Sequence, residues 1–253
     1  MKKVLLINSS WRKKTTFGVL KQIDEILQLR GVETEFLHLA EYDIQSCRGC
    51  EICIMRGQCV IQDDFHEIER KLKAADGIIL SSPVYLRQVS GILKTMIDRT
   101  CSHYHRPILV GKPIFSCTTT NASGAKETLS YMKDITVQWG AIPAGEVAVK
   151  LQGIESNELE RKLEKFLMLL KHPKEMDRPS WKRVMDFQVQ KVLALHVLLQ
   201  DRPYWEQKGW AARDYYYENQ LSWMKKKTGH SFYKFLAKKM SKNKKAQEDG
   251  RGV

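Results

Sequence analysis

The sequence predicts an α/β protein: a doubly wound, five-stranded parallel sheet followed by a C-terminal helical extension. Three observations carry this expectation. Short apolar runs without polar alternation recur along the first 150 residues, as strands buried on both faces require. Segments with apolar residues at helical spacing separate them. After residue 171 the composition changes: residues 172–253 carry a surplus of nine positive charges, against four for the rest, and four of the six Trp with five of the nine Tyr. The boundary is placed near His172–Pro173, giving units 1–171 and 172–253.

Lys3–Ile7 is the first apolar run, and Thr16–Leu29 follows with Phe17, Val19, Leu20, Ile23, Ile26 and Leu27 on one face. Glu33–Leu39 reads as the second strand. Asp63 and Asp64 open a helix with Phe65, Ile68, Leu72 and Ala75 aligned. Gly77–Ser82, Pro113–Thr118 and Pro143–Val149 complete the strands, and the helices 91–100, 123–139 and 155–171 lie between and after them. Strands alternating with helices imply right-handed crossovers and parallel pairing, in the flavodoxin-type order. Ligands on such sheets bind beyond the carboxyl ends of the strands, so the loops after each strand are where chemistry is sought.

The N-terminal apolar run is too short for a secretory signal, and no stretch has the length of a membrane span. A soluble, cytoplasmic protein is expected. The tail is helical from Ser180, with Trp181, Val184, Met185, Val192, Leu195 and Leu199 as a packing face, interrupted over Pro203–Trp210. It ends in the lysine-rich stretches 225–227 and 238–245. These read as a solvated face; docking of an acidic electron carrier, or of nucleic acid or an anionic membrane, is the alternative.

Three loops carry candidate chemistry. Asn8–Thr16, between the first strand and helix, joins hydroxyls and basic groups to a helix N-terminus, which suits an anion; the competing reading is an N-cap by Thr15 or Thr16. It is neither a Walker A loop nor a GxGxxG turn. Ser81–Tyr85 ends the third strand with a Pro and an aromatic that could wall a flat heterocycle, its backbone amides free to bond the ring edge. Thr118–Gly124, small and polar, follows the fourth strand.

The cysteine pattern is the most specific feature. Cys47, Cys50 and Cys53 form two successive C-x2-C steps, and Cys59 follows after five residues containing Gly57. Four thiolates within thirteen residues can wrap one compact iron–sulfur cluster. Zinc, a cycling dithiol and unliganded thiols are the other readings of this spacing. Clustered cysteines in a cytosolic chain bind metal or do redox work more often than they form disulfides. Cys101 and Cys117 read as small apolar residues. The histidines are scattered, and His103 and His105 are taken as surface residues.

Taken together, Ser10-Trp11-Arg12, the Asp63-Asp64 pair, Ser82-Pro83-Val84-Tyr85 and Ser90–Lys94 with Ile97-Asp98-Arg99 resemble the NAD(P)H-dependent FMN reductase superfamily of flavodoxin-like proteins. The four-cysteine motif is similar to that of its iron–sulfur flavoproteins, homo-oligomers carrying FMN and a [4Fe–4S] cluster near a subunit interface. The resemblance implies that Ser10, Arg12, Thr15 and Thr16 hold the FMN phosphate. Pro83, Val84 and Tyr85 would line the isoalloxazine, and Thr119, Asn121 and Gly124 its other edge. Cys47, Cys50, Cys53 and Cys59 would hold the cluster. Many relatives have Gly where this chain has Ser9, so the phosphate loop is a point of departure.

The expected function is an FMN-dependent oxidoreductase passing electrons from a reduced donor, NAD(P)H or ferredoxin-like, through FMN and the cluster to an acceptor. A homodimer or homotetramer is expected, with no nucleic-acid partner. The alternatives are an FMN or quinone reductase without a cluster, and a zinc-stabilised nucleic-acid-binding module. No side chain stands out as a catalytic acid or base, and the catalytic residues are left unassigned.

Overall fold

The computed structural model describes residues 1–217 and 221–248, with side chains described through Ser241. Five strands, β1 (Lys3–Asn8), β2 (Glu33–His38), β3 (Gly77–Pro83), β4 (Pro113–Thr120) and β5 (Ile142–Lys150), form one parallel sheet in the order β2-β1-β3-β4-β5. This is the flavodoxin-like arrangement. Its strand order reverses between β1 and β3, which opens a crevice at their carboxyl ends.

Helices α1 (Thr15–Leu29), α3 (Phe65–Ala74), α4 (Gly91–Asp98), α6 (Ala125–Gln138) and α7 (Ser156–Lys171) cover both faces. On one face Leu20, Ile23, Leu163 and Phe166 pack on Val4, Leu6, Ile79 and Phe115. On the other, Phe65, Ile68, Leu93, Met96 and Met132 pack on Leu5, Ile7, Ile78 and Leu80. Alternate residues of β1 and β3 thus feed opposite layers, which is why these strands are apolar without alternation. Two short helices, α2 (Ile52–Arg56) and α5 (Cys101–His105), pack against each other beside the cysteine loop.

Beyond α7, α8 (Pro173–Met176), α9 (Trp181–Val192), α10 (Arg202–Gln207) and α11 (Trp223–Glu248) make the helical extension. The aromatic-rich tail forms a third core of its own, in which Phe187, Trp205, Trp210 and Tyr215–Tyr217 are buried together. The interruption expected at Pro203 falls earlier: a π-helical turn at Leu193–Val197 ends α9, and Pro203 sits in the first turn of α10, where its missing N–H costs nothing. Trp205 Nε1 donates to His105 O at 2.8 Å, Tyr204 Oη to Pro107 O at 2.9 Å, and Gln190 Nε2 to Tyr104 O at 2.8 Å. The extension therefore docks on the end of α5 and the segment that follows it, away from the residues that line the crevice. Of the lysine-rich end, the side chains of Lys242, Lys244 and Lys245 lie outside the described residues.

Candidate functional site

At the carboxyl end of β1, Asn8 shapes the first loop. Its Oδ1 accepts from Ser10 N at 3.3 Å, and its Nδ2 donates to Ser10 O and to His38 Nδ1, each at 3.2 Å. Burial, reinforced by the Lys13 cation, lowers the His38 pKa, which favours the neutral ring this bond needs. Ser10 Oγ donates to Arg12 O at 3.0 Å, folding the loop back over α1. Helix α1 begins after Lys14 with no side-chain cap. The capping role open to Thr15 and Thr16 is thus unused, and Thr16 Oγ1 pairs instead with Thr119 Oγ1 at 2.7 Å. An uncapped helix N-terminus flanked by Arg12 and Lys14 is a ready anion site.

The Ser9 side chain bonds outside this loop. Its buried Oγ donates to Ser81 O at 2.8 Å and accepts from Ser90 Oγ at 2.9 Å, tying β1 to β3 and to the start of α4. The departure from glycine thus changes the floor beneath the crevice and leaves the loop's anion-facing side alone.

The second wall is a tight turn, with Tyr85 N donating to Gln88 O at 2.9 Å and Gln88 N to Tyr85 O at 3.0 Å. Its two central residues, Leu86 and Arg87, have φ of 48° and 64°. Two adjacent non-glycine residues in the left-handed region are uncommon, and such strain concentrates at ligand sites. The expectation that the amides of Val84 and Tyr85 are free to bond a ring edge is corrected here. Val84 N donates to Thr119 O at 2.9 Å, and Tyr85 N is spent within the turn.

The third wall, Thr119–Ser123, leads into α6 through Gly124, whose φ is 93°. A Cβ at Gly124 would stand 2.8 Å from Arg87 Cα and 2.9 Å from Val84 Cγ1, so the two loops touch because this residue is glycine.

Between these walls lies a pocket of about 700 Å³, within the size range of small-molecule and cofactor sites. Ser10, Arg12, Thr15, Thr16, Pro83, Val84, Tyr85, Thr119 and Asn121 all line it. Gly124 supports it from behind. Lys14, one of the basic groups of the first loop, lines it too, as do Leu86, Arg87 and Leu151, which sequence reasoning missed. Leu86 and Leu151 in the pocket wall sit at 99% and 60% exposure, and Trp11 on the first loop at 68%, so large apolar side chains stand exposed on two of the loops and on the residue after β5. The residue types fit FMN: cations and an open helix N-terminus for the phosphate, and a Pro–Val–Tyr wall for a flat ring.

The cysteines lie elsewhere; none of the four lines the pocket. They belong to the segment between β2 and α3. Cys47 and Cys50 are exposed, and Cys53 and Cys59 are half-buried. Among the described residues no three His, Cys, Asp or Glu side chains stand close enough together to hold one metal ion. The thiols nonetheless sense one another. Burial, with the nearby thiols of Cys101, Cys59, Cys47 and Cys50, pushes the Cys53 thiol up to about 11. Gly49 and Gly57 take left-handed φ of 65° and 82°, turns the loop needs to bend back on itself. The four-thiol donor set fits a thiolate-held cluster, while the four sulfurs do not converge. Cys101 corrects its reading as a small apolar residue: it is exposed and faces this loop, whereas Cys117 is fully buried in β4 as expected. His103 is likewise not a surface residue. It is 2% exposed, and its Nε2 donates to Glu69 Oε1 at 2.7 Å.

The Asp63–Asp64 pair and Arg99 frame the cysteine segment. Asp64 Oδ2 accepts from Asp43 N at 2.7 Å, and Asp63 accepts from Gln45 N at 2.9 Å and Phe65 N at 3.1 Å. Burial opposes the Asp63 charge, yet Arg99 and these N–H groups hold its carboxyl below the usual range.

Residues 2–154 match the family described as NADPH-dependent FMN reductase. Over 146 residues, 57% of this chain and 66% of the relative, the sequence is 34% identical to an iron–sulfur flavoprotein of Archaeoglobus fulgidus. Over 111 residues, 43% of this chain and 54% of the relative, it is 43% identical to an iron–sulfur flavoprotein of Methanocaldococcus jannaschii. The chain thus spans between about half and two-thirds of the length of these curated relatives. The fold is similar to that of an NADH:FMN oxidoreductase in its apo form, with TM-score 0.52 and 16% identity over 66% of this chain and 89% of that one.

Proposed function

Starting from a chain that belongs to the NADPH-dependent FMN reductase family, we propose an FMN-dependent electron-transfer oxidoreductase with FMN in the crevice and a [4Fe–4S] cluster on Cys47, Cys50, Cys53 and Cys59. The observation that carries the flavin assignment is the pocket of about 700 Å³, in which the three sequence-distant loops meet. Bound there, FMN would supply two-electron acceptance and one-electron release, and a cluster would supply a one-electron relay.

The chain's own part is binding and orientation. Ser10, Arg12, Thr15 and Thr16 hold the phosphate against the α1 N-terminus. Pro83, Val84 and Tyr85 flank one side of the ring, and Thr119 and Asn121 the other, with Gly124 allowing the walls to close. Support for the cluster comes from the four-cysteine motif and from the names of the curated relatives. The exposed Leu86 and Leu151 in the pocket wall, with the exposed Trp11 on the first loop, support a homodimer or homotetramer built on this face. The donor in this reading is NAD(P)H or a ferredoxin-like protein. The division into an FMN-binding unit, 1–171, and a helical extension, 172–253, and a cytoplasmic setting belong to the same reading. No described helix is long and apolar enough to cross a membrane.

One observation favours a second reading, a reductase with FMN and no cluster: the four thiols do not converge. Anaerobic titration of the purified protein with NADPH, NADH or a reduced ferredoxin tests the proposal. Bleaching of a bound flavin by one of these, with transfer to an added acceptor, is expected. A protein that neither retains nor rebinds FMN would refute it.

A further inference from the structure

Arg99 occupies the end of α4, nine residues after Ser90, whose hydroxyl reaches Ser9 beneath the flavin pocket. At helical rise these two positions lie about 13 Å apart. The Arg99 side chain is buried, and its charge is paired with Asp63, itself buried, at the head of α3. A guanidinium has five N–H donors in a planar fork, and every one of them finds an acceptor here. Nη1 donates to Gln45 O at 2.9 Å and to Asp63 Oδ2. Nη2 donates to Ile61 O at 3.3 Å and to Asp63 Oδ1 at 3.0 Å. The fifth donor, Nε, points at Cys59 Sγ from 3.2 Å. The Phe65 ring, 4.8 Å from the guanidinium carbon, closes the remaining side.

Gln45 precedes the first cysteine and Ile61 follows the last. One guanidinium therefore fastens both ends of the cysteine segment and turns its remaining donor to the Cys59 sulfur. Lysine could not do this, because it offers a point charge without the fork. Asp63 fixes the orientation by taking both outer nitrogens, so Nε is presented to sulfur rather than to water.

Resting on the cluster reading proposed above, we infer that Arg99 is a positioning residue: it clamps the cysteine segment and donates a charge-assisted N–H···S bond to the Cys59 ligand, setting the cluster's reduction potential. A cluster held there would take up one electron from a donor and pass it to an acceptor, with no bond formed and no proton moved. The added negative charge would be shared by the sulfurs of Cys47, Cys50, Cys53 and Cys59. A cationic donor on one of them therefore favours the reduced form and raises the potential.

The test uses the full chain with its cluster loaded anaerobically. Iron and acid-labile sulfide per chain are counted first, and the midpoint potential is then read by EPR-monitored titration for wild type, Arg99→Lys and Arg99→Gln. Arg99→Gln is expected to favour the oxidised form at least tenfold, a fall of about 59 mV for a one-electron couple. Arg99→Lys is expected to fall by less, because the charge remains and the fork is lost. Should the glutamine variant fail to fold, pulsed EPR of the reduced wild type labelled with ¹⁵N-arginine decides the matter. An arginine nitrogen coupled to the cluster is expected, and its absence overturns the assignment. Loaded variants with an unchanged potential overturn it as well, leaving the cluster intact. A wild type without iron or sulfide overturns the cluster reading and this inference with it.

Discussion

Replacing Gly124 by alanine places one methyl group where the α6 loop meets the Tyr85–Gln88 turn. Two costs follow. At φ 93° an L residue is disfavoured, by about 1–2 kcal/mol. The new Cβ would also stand 2.8 Å from Arg87 Cα, a backbone atom that cannot rotate away, and 2.9 Å from Val84 Cγ1. Overpacking of this kind costs about 1–3 kcal/mol, so the sum is about 2–5 kcal/mol. Val84 and Arg87 line the pocket, so relief by shifting the turn moves part of that cost from stability into FMN affinity. Each 1.4 kcal/mol so transferred weakens binding about tenfold. Urea denaturation of the apoprotein and quenching of FMN fluorescence on titration read the two shares. Gly91→Ala is the control: its added Cβ meets nothing within 4 Å, and its φ is not in the left-handed region. An alanine at 124 with wild-type urea midpoint and wild-type FMN affinity would refute the close-approach argument.

Three further outcomes follow from the same geometry. Arg12→Ala should weaken FMN binding about 10- to 100-fold, the worth of a hydrogen bond to a charged group, while leaving riboflavin, which lacks the phosphate, unaffected. Equal loss for both ligands in parallel fluorescence titrations would remove Arg12 from the phosphate site. Ser9→Ala should lower stability by about 1–3 kcal/mol, because it leaves the buried Ser81 carbonyl and Ser90 hydroxyl short of a partner, yet leave phosphate discrimination unchanged. Burial opposes the Glu69 charge, but His103 and Lys73 outweigh it and hold the carboxyl down to about 2. A depressed carboxylate adds stability above its unfolded value of about 4.3 and loses it as pH falls toward 2. Glu69→Gln should therefore flatten the acid limb of a stability–pH curve between those values, and an unchanged limb would contradict this.

The sheet was legible because β1, β3 and β4 are buried on both faces, which writes continuous apolar runs into the sequence. The three pocket loops were legible for a related reason, since each follows such a strand. Legibility failed wherever the partner lay far along the chain. Ser9 read as a departure in a phosphate loop, but its hydroxyl belongs to Ser81 and Ser90, more than seventy residues away. The amide of Val84 read as free because its pairing with Thr119 leaves no local trace; that of Tyr85 was missed for another reason, the tight turn it closes on Gln88. His103 and Cys101 were assigned from neighbours in sequence, while Glu69 and the cysteine loop decide their surroundings. Arg99 and the Asp63–Asp64 pair stood out as parts of a family pattern. That all five guanidinium donors are used, one on Cys59, follows only from the packed arrangement.

The two proposed cofactor sites are a flavin pocket at the carboxyl edge of the sheet and a cluster on the cysteine loop held by Arg99 at the end of α4. The most direct measurement is cofactor content after anaerobic purification, with FMN, iron and acid-labile sulfide counted per chain alongside the absorption spectrum. The account predicts about one FMN with about four iron and about four sulfide, and flavin and iron–sulfur bands together. FMN in full occupancy with iron and sulfide near zero, even after reconstitution, would contradict the cluster and leave a flavin reductase whose cysteines hold no metal.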